Sequence, residues 1–379
     1  MLIFFIQLLI MNYYIINISI FILISVILFC TYLHYINKKN IEPFKYRKCN
    51  KYGLGKILNT VFSENNITKT EDKDWDIYLP CGYNYVENEL TKIRPHTNNQ
   101  IIFGISGCDY IVSKNKLWEL LKNYHGRDRA KLIMPETWIL NDPQEMKLFR
   151  KKYRKNNIYI LKKNVQRKEG LKLTNNLREI INAHRDNYKV VQKYNTNLFL
   201  INNRKVNLRI YLLIVCHKGK VTAYLHKQGK CIYTNKEYND NLFDFESNIT
   251  SYHLDMNVYK ENPFSLDELR QFLQYKNQNQ ELLFNKINNI IYQTIIAVKD
   301  HLCNLRNIYN NQTFQLFGLD IIFDRNMNPY LLEMNKGPDM IPRNDIDRHM
   351  KFKVNTDMFN ILGVKTENKG KNGFYKIYG

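Results

Sequence analysis

Apolar residues along this chain follow three patterns. From Phe21 to Leu33 they are nearly continuous. With the apolar residues before them they give a candidate span at about 13–35, and about 20 residues suffice to cross a bilayer. Elsewhere they alternate with polar residues, which predicts strands. The longest such run is 206–215, where Lys205, Asn207, Arg209 and Tyr211 fall on one face and Val206, Leu208, Ile210 and Leu212 on the other. Shorter strands are predicted at 75–79, 159–162, 189–194, 221–225 and 231–234. In a third group they recur at helical spacing. Leu117, Leu120 and Leu121 predict a helix over 114–124, and Leu282, Leu283, Ile287, Ile290, Ile291, Ile295 and Ile296 one over 281–304. Asp142 followed by Pro143 and Glu145 starts another, to about 155. Further helices are predicted at 175–183 and 265–274. Residues 101–108 read as a loop.

The C-terminal stretch from Gln315 to Asn335 has two apolar runs around a polar turn, Asp324 to Asn328, closed by Pro329. This predicts a β-hairpin. A turn centred between Asn326 and Met327 sets Asp320 opposite Glu333. Asp320, Glu333 and Asn335 then share one face, and Leu319, Ile321, Phe323, Leu332 and Met334 the other. Directly opposed like charges destabilise an antiparallel pair. Two carboxylates and a carboxamide on one face are, however, a hard-oxygen set suited to magnesium, which would relieve the repulsion.

The pattern divides the chain into an N-terminal membrane anchor (1–37), a basic linker (38–74), a smaller α/β domain (75–155), a larger core (156–365) and a polar tail (366–379). No Asp, Glu, Lys or Arg precedes Lys38, and Lys38, Lys39, Lys45, Arg47 and Lys48 follow at once. Basic residues on that side predict a single-pass anchor with the rest of the chain in the cytosol.

Lys+Arg 56 against Asp+Glu 35 gives a formal charge of +21, which favours acidic partners. Aromatics are not interleaved with Lys and Arg on a platform, so a nucleic-acid binder is not expected. The seven cysteines lack CxxC spacing, which argues against a zinc site and for reduced thiols. Charge on one face of a central strand is costly unless it is paired or faces a site. That makes Lys205 and Arg209 candidates for phosphate and carboxylate contacts. Lys162 ends a strand ahead of a polar, basic loop closed by Gly170. No GxxxxGK[ST] phosphate loop is present.

Six stretches in order resemble the tubulin–tyrosine ligase-like family. They are Pro135 and Thr137, Tyr159 to Lys162, Val190 to Tyr194, Asn203 to Arg209, Asn248 to Tyr252, and the two hairpin strands. The resemblance spans about residues 100–345. It implies an ATP-grasp fold and an ATP-dependent ligase, which activates a protein carboxylate as an acylphosphate and joins it to an amino acid. It further implies that Asp320, Glu333 and Asn335 hold Mg2+. Lys162, Lys193 and Lys205 would contact ATP, with Gln192 and Tyr194 at adenine and Asn207 and Thr250 near the phosphates. Arg209 would stabilise the reacting oxygens. Tyr233 stands where an arginine for the amino-acid carboxylate is common. The implied partners are a free amino acid and an acidic protein acceptor such as tubulin. Asn207 where the family usually has Asp, Ser251 where it has Asn, and Tyr233 are departures. They leave open a second reading, an anchored binding module that keeps the fold without turnover.

Overall fold

The structure is a computed structural model that describes residues 17–32, 43–49, 53–82, 86–165, 170–239, 241, 243–250, 255–364, 366 and 370–379. Its strands, in chain order, are β1 (Lys45–Lys48), β2 (Thr68–Lys69), β3 (Ile77–Leu79), β4 (Ile101–Phe103), β5 (Thr137–Ile139), β6 (Tyr159–Lys162) and β7 (Leu171–Thr174). There follow β8 (Val190–Lys193), β9 (Leu200–Ile201), β10 (Arg204–His217), β11 (Lys220–Tyr233), β12 (Gln312–Phe323), β13 (Pro329–Asn335) and β14 (Phe374–Tyr378).

The alternating run around 206–215 becomes β10, at the centre of the large sheet. It turns into β11 through Lys218 and Gly219, both at positive φ, as a tight hairpin requires. The two strands predicted at 221–225 and 231–234 are one strand with a register shift. The sheet runs β14-β11-β10-β12-β4-β3-β1-β2, with β13 added on β12 and β9 on β10. A second, antiparallel sheet runs β5-β8-β6-β7. This mixed α/β arrangement is consistent with the ATP-grasp type.

The period-two pattern settles where the core lies. Leu208, Ile210, Leu212, Leu319 and Ile321 pack from one face of the large sheet against Leu117, Trp118 and Leu121 of helix Lys114–His125 and Leu283, Ile287 and Ile291 of helix Gln280–Val298. Leu282, predicted to join them, is exposed. The polar partners on β10 and β12 are thereby directed to the opposite face.

Several expectations are corrected. The supposed linker supplies β1, β2 and helix Lys56–Glu64, and the supposed polar tail supplies β14 on the sheet edge. Residues 101–108 begin as β4, paired in parallel with β12. Residues 45–379 form one compact unit, so the boundary expected at 155 does not separate independent bodies. Disulfides join Cys49 to Cys81 and Cys216 to Cys303, whose partners are 32 and 87 residues apart and meet only through the fold. Cys30, Cys108 and Cys231 are free thiols.

Residues 1–44 form a separate unit, helical over 17–32 with its apolar side chains exposed. Among the described residues no helix is long and apolar enough to cross a membrane. The remainder of the expected anchor, 1–16 and 33–37, lies outside them.

Candidate active site

The hairpin forms because Asp324 organises its turn. Its Oδ1 accepts from the N–H groups of Asn326 and Asn328, both at 2.9 Å, and Met327 takes a positive φ. Phe323 pairs with Pro329, Ile322 with Tyr330 and Ile321 with Leu331, so the turn is centred on Asn326 and not one half-step later. A register shift after Ile321 then restores the expected pairing of Asp320 with Glu333 and of Gly318 with Asn335. The extra residue of this bulge is Leu332, which faces the cavity and not the core where it was expected.

Asp320, Glu333 and Asn335 line a cavity of about 660 Å3 between the two sheets. β10 contributes Lys205, Asn207 and Arg209, β6 contributes Lys162, and β8 with its following residue contributes Gln192, Lys193 and Tyr194. Thr250 completes the set. Seven Lys and Arg side chains face four Asp and Glu around the wall, which suits a polyanionic ligand.

Arg209 is the direct cross-strand partner of Asp320. Its Nε donates to Oδ1 at 2.6 Å and its second terminal nitrogen, Nη2, to Oδ2 at 3.2 Å, a two-pronged pair. Glu333 is met by Lys114 at 3.3 Å, and Asn335 Nδ2 donates to its Oε1 at 3.2 Å. The opposed carboxylates are therefore offset by protein cations already. Burial alone would raise the Glu333 carboxyl, but Lys114 and Lys162, then the Asn335 hydrogen bond, hold it down to about 2. Burial raises Asp320, opposed by the Arg209 charge and reinforced by Glu333.

Lys162 is buried and lines the cavity, and its ammonium donates no hydrogen bond among the described residues. Burial and the neighbouring Lys114 push its ammonium down to about 8, against the pull of Glu333 and Asp320. Burial, with Lys162 adding to it, brings Lys205 down to about 7. Lys205 donates to Asn248 O at 2.9 Å and lies 4.7 Å from the centre of the Tyr194 ring. Tyr194 is fixed by donating to Asn248 Oδ1 at 2.9 Å. Asn207 Nδ2 donates to Thr250 Oγ1 at 2.9 Å, while its buried Oδ1 has no partner among the described residues. Gln192 spends its Nε2 on Thr137 Oγ1 at 2.8 Å and Pro135 O at 3.3 Å, tying β8 to β5. Lys193 is the exposed member of the group.

One assignment fails. Tyr233 does not line the cavity. It is fully buried on the core face of β11, packs against Tyr259, and donates to Pro263 O at 2.8 Å. The cavity-facing positions of β11 are Lys230 and Ile232. Lys230 was missed because it falls in the gap left between the two strands predicted at 221–225 and 231–234, which the structure joins into β11. Lys114, Asp339 and Arg343 were also missed; they enter from a helix start and a loop, which carry no period. Ser251, the third departure, lies outside the described residues.

Comparison with known proteins places the chain in a family. The Tubulin-tyrosine ligase family matches residues 92–371. A tubulin monoglutamylase of Mus musculus is 23% identical over 355 residues, covering 86% of this chain and 29% of its own length. A probable tubulin polyglutamylase of Caenorhabditis elegans is 25% identical over 336 residues, 82% of this chain and 78% of its own. A probable alpha-tubulin polyglutamylase of Tetrahymena thermophila is 25% identical over 353 residues, 81% and 83% respectively. The chain thus spans under a third of the mouse protein but most of the other two. Because the family match takes in well over half of the residues, including every cavity-lining strand, the chain belongs to the tubulin-tyrosine ligase family.

Proposed function

We propose that this protein is an ATP-dependent carboxylate–amine ligase that joins an amino acid to a carboxylate of an acidic protein, with tubulin the acceptor its relatives' names suggest. The observation that carries the reading is that one cavity holds both the buried Lys162 and Lys205 side chains and the carboxylates of Asp320 and Glu333. Buried cations lacking full partners call for an anionic ligand.

The donor set fits a hard divalent cation: two carboxylates and the Asn335 carboxamide oxygen share one face of the hairpin. Asp320, Glu333 and Asn335 would hold Mg2+, which when bound neutralises phosphate charge and orients the transferring phosphoryl group. Lys162 and Lys205 bind phosphate oxygens from separate strands. Tyr194, Gln192 and Lys193 border the adenine end together with apolar Ile160 and Leu171. Asn207, anchored on Thr250, lines the cavity beside the phosphate end.

The reaction needs no protein nucleophile. An acceptor carboxylate oxygen bonds to the γ-phosphorus as the bond to ADP breaks. The amino-acid amine then bonds to the acyl carbon, phosphate leaves, and the amine loses a proton to solvent. The two cavity walls position the reactants, and Arg209 supplies fixed positive charge where oxyanion charge develops. We read the apolar 17–32 helix as part of a membrane attachment that leaves this domain in the cytosol.

The test is the full-length protein with ATP, Mg2+ and radiolabelled amino acids, using tubulin as acceptor. Label transfer that requires ATP and is lost in Asp320→Asn supports the reading. Mg-ATP binding without transfer to tubulin or to any lysate protein supports instead the binding module, which the Asn207 departure favours.

A further inference from the structure

One end of the cavity, at Lys230, carries none of the residues assigned above to the nucleotide. Lys230 on β11 is the cross-strand partner of Arg209 on β10, Arg209 of Asp320 on β12, and Asp320 of Glu333 on β13. These residues form a transverse row of two cations followed by two carboxylates. At roughly 4.8 Å per strand, Lys230 stands about 10 Å from Asp320 along it.

The Lys230 side chain is only 13% exposed, and its nearest carboxylate oxygen, Asp347 Oδ1, is 3.5 Å away. Its ammonium donates no hydrogen bond among the described residues. Three N–H donors held out of water are costly without acceptors. Asp347 is itself fully buried. Its Oδ2 accepts from Lys351 Nζ at 2.9 Å and from the Arg343 N–H at 3.0 Å, while its Oδ1 accepts no hydrogen bond among the described residues. Lys351 is also fully buried and donates to Ile341 O at 2.7 Å. Helix Asp345–Ile361 thus sets the Asp347 carboxylate, held by Lys351, beside the Lys230 ammonium on the cavity wall, close enough to orient it but without a hydrogen bond among the described residues.

We propose that Lys230 receives the carboxylate of the incoming amino acid, and that the buried Asp347–Lys351 pair positions its ammonium to do so. The inference rests on the ligase reading above. An α-amino acid is a compact zwitterion. With its amine at an acyl carbon beside Arg209, its carboxylate falls one strand further along the row, at Lys230. Tyr233, on the opposite face of the same strand, cannot take that part. Asp347 is a positioning residue and does not touch the substrate.

The test uses the full chain and two successive titrations by calorimetry. Mg2+ with a non-hydrolysable ATP analogue is titrated first, then L-glutamate, glycine or L-tyrosine into the loaded protein. For the amino acid that binds wild type, Lys230→Met raises Kd at least tenfold with the nucleotide Kd within twofold, and Lys230→Arg recovers most of the loss. Asp347→Asn, of nearly equal volume, raises the amino-acid Kd several-fold at unchanged nucleotide Kd. Unaltered amino-acid affinity in Lys230→Met overturns the proposal, as does wild type that binds nucleotide but none of the three amino acids. Lower thermal stability in Asp347→Asn without a change in amino-acid Kd overturns the positioning role. Failure of wild type to bind Mg-nucleotide is distinct: it removes the ligase reading and this inference with it.

Discussion

Arg209 grips Asp320 across the β10–β12 pair, Nε to Oδ1 at 2.6 Å, and so neutralises one of two carboxylates that face each other on the hairpin. Removing one partner of a buried ion pair costs about 3–5 kcal/mol, because the other charge is left uncompensated. Arg209→Met is expected to lose stability on that scale, read by urea unfolding. Arg209→Met with Asp320→Asn should recover much of it. If the single variant unfolds at the wild-type midpoint, the pair contributes nothing to the fold.

The sequence made Glu333 a source of repulsion, so that Glu333→Gln would be harmless or stabilising without metal. The structure reverses that sign. Lys114, 3.3 Å from Glu333, and the nearby Lys162 would lose their carboxylate. Glu333→Gln should therefore lower apo stability by about 1–3 kcal/mol, the cost of leaving buried polar groups unmatched. It should also shrink the thermal shift produced by Mg-ATP. Equal nucleotide shifts in both proteins would remove Glu333 from the metal site.

Burial, aided by Lys162, holds Lys205 at about 7, so at pH 8 it is mostly neutral in the free protein. A phosphate beside it favours the charged form and raises that value. Nucleotide binding at pH 8 should then take up protons, and the uptake should fade as pH falls below 7, where Lys205 is already charged. Calorimetry in buffers of different ionisation enthalpy reads the number directly. Lys205→Met should reduce it, and proton release would contradict the phosphate assignment.

Tyr233 is a core residue, and its hydroxyl serves Pro263 O at 2.8 Å. Tyr233→Phe should cost about 1 kcal/mol for the lost hydrogen bond. It should leave both nucleotide and amino-acid affinity unchanged. A raised amino-acid Kd at full stability would return Tyr233 to the substrate site.

The 17–32 helix exposes apolar side chains on all sides, among them Phe21 at 73% and Leu28 at 63%. Full-length protein should sediment with membranes and resist extraction by high salt, whereas a chain starting at Lys38 should stay in the supernatant. Release of the full-length protein by salt alone would leave only the following lysines as the attachment.

What the sequence determined by itself were the features carried by periodicity. The two-residue period of 205–212 assigned Lys205, Asn207 and Arg209 to one face, and the fold kept them there, because a buried apolar face permits no slip of register. The same logic placed Asp320 with Glu333 and Asn335. Their pairing held, although the turn was misplaced, since a bulge at Leu332 compensated for it. A bulge leaves no mark in an alternation of residue types and depends on how the strand bends across its neighbours. Only the tertiary structure decided which strand faces meet. It turned Tyr233 toward the core and Lys230 toward the cavity, brought Lys114 onto Glu333 from 219 positions away in sequence, and set the Lys351-bound Asp347 beside the Lys230 ammonium. Contacts of that kind join residues whose local patterns are independent. Their charges report a preference for a partner, and the partner is chosen by packing alone.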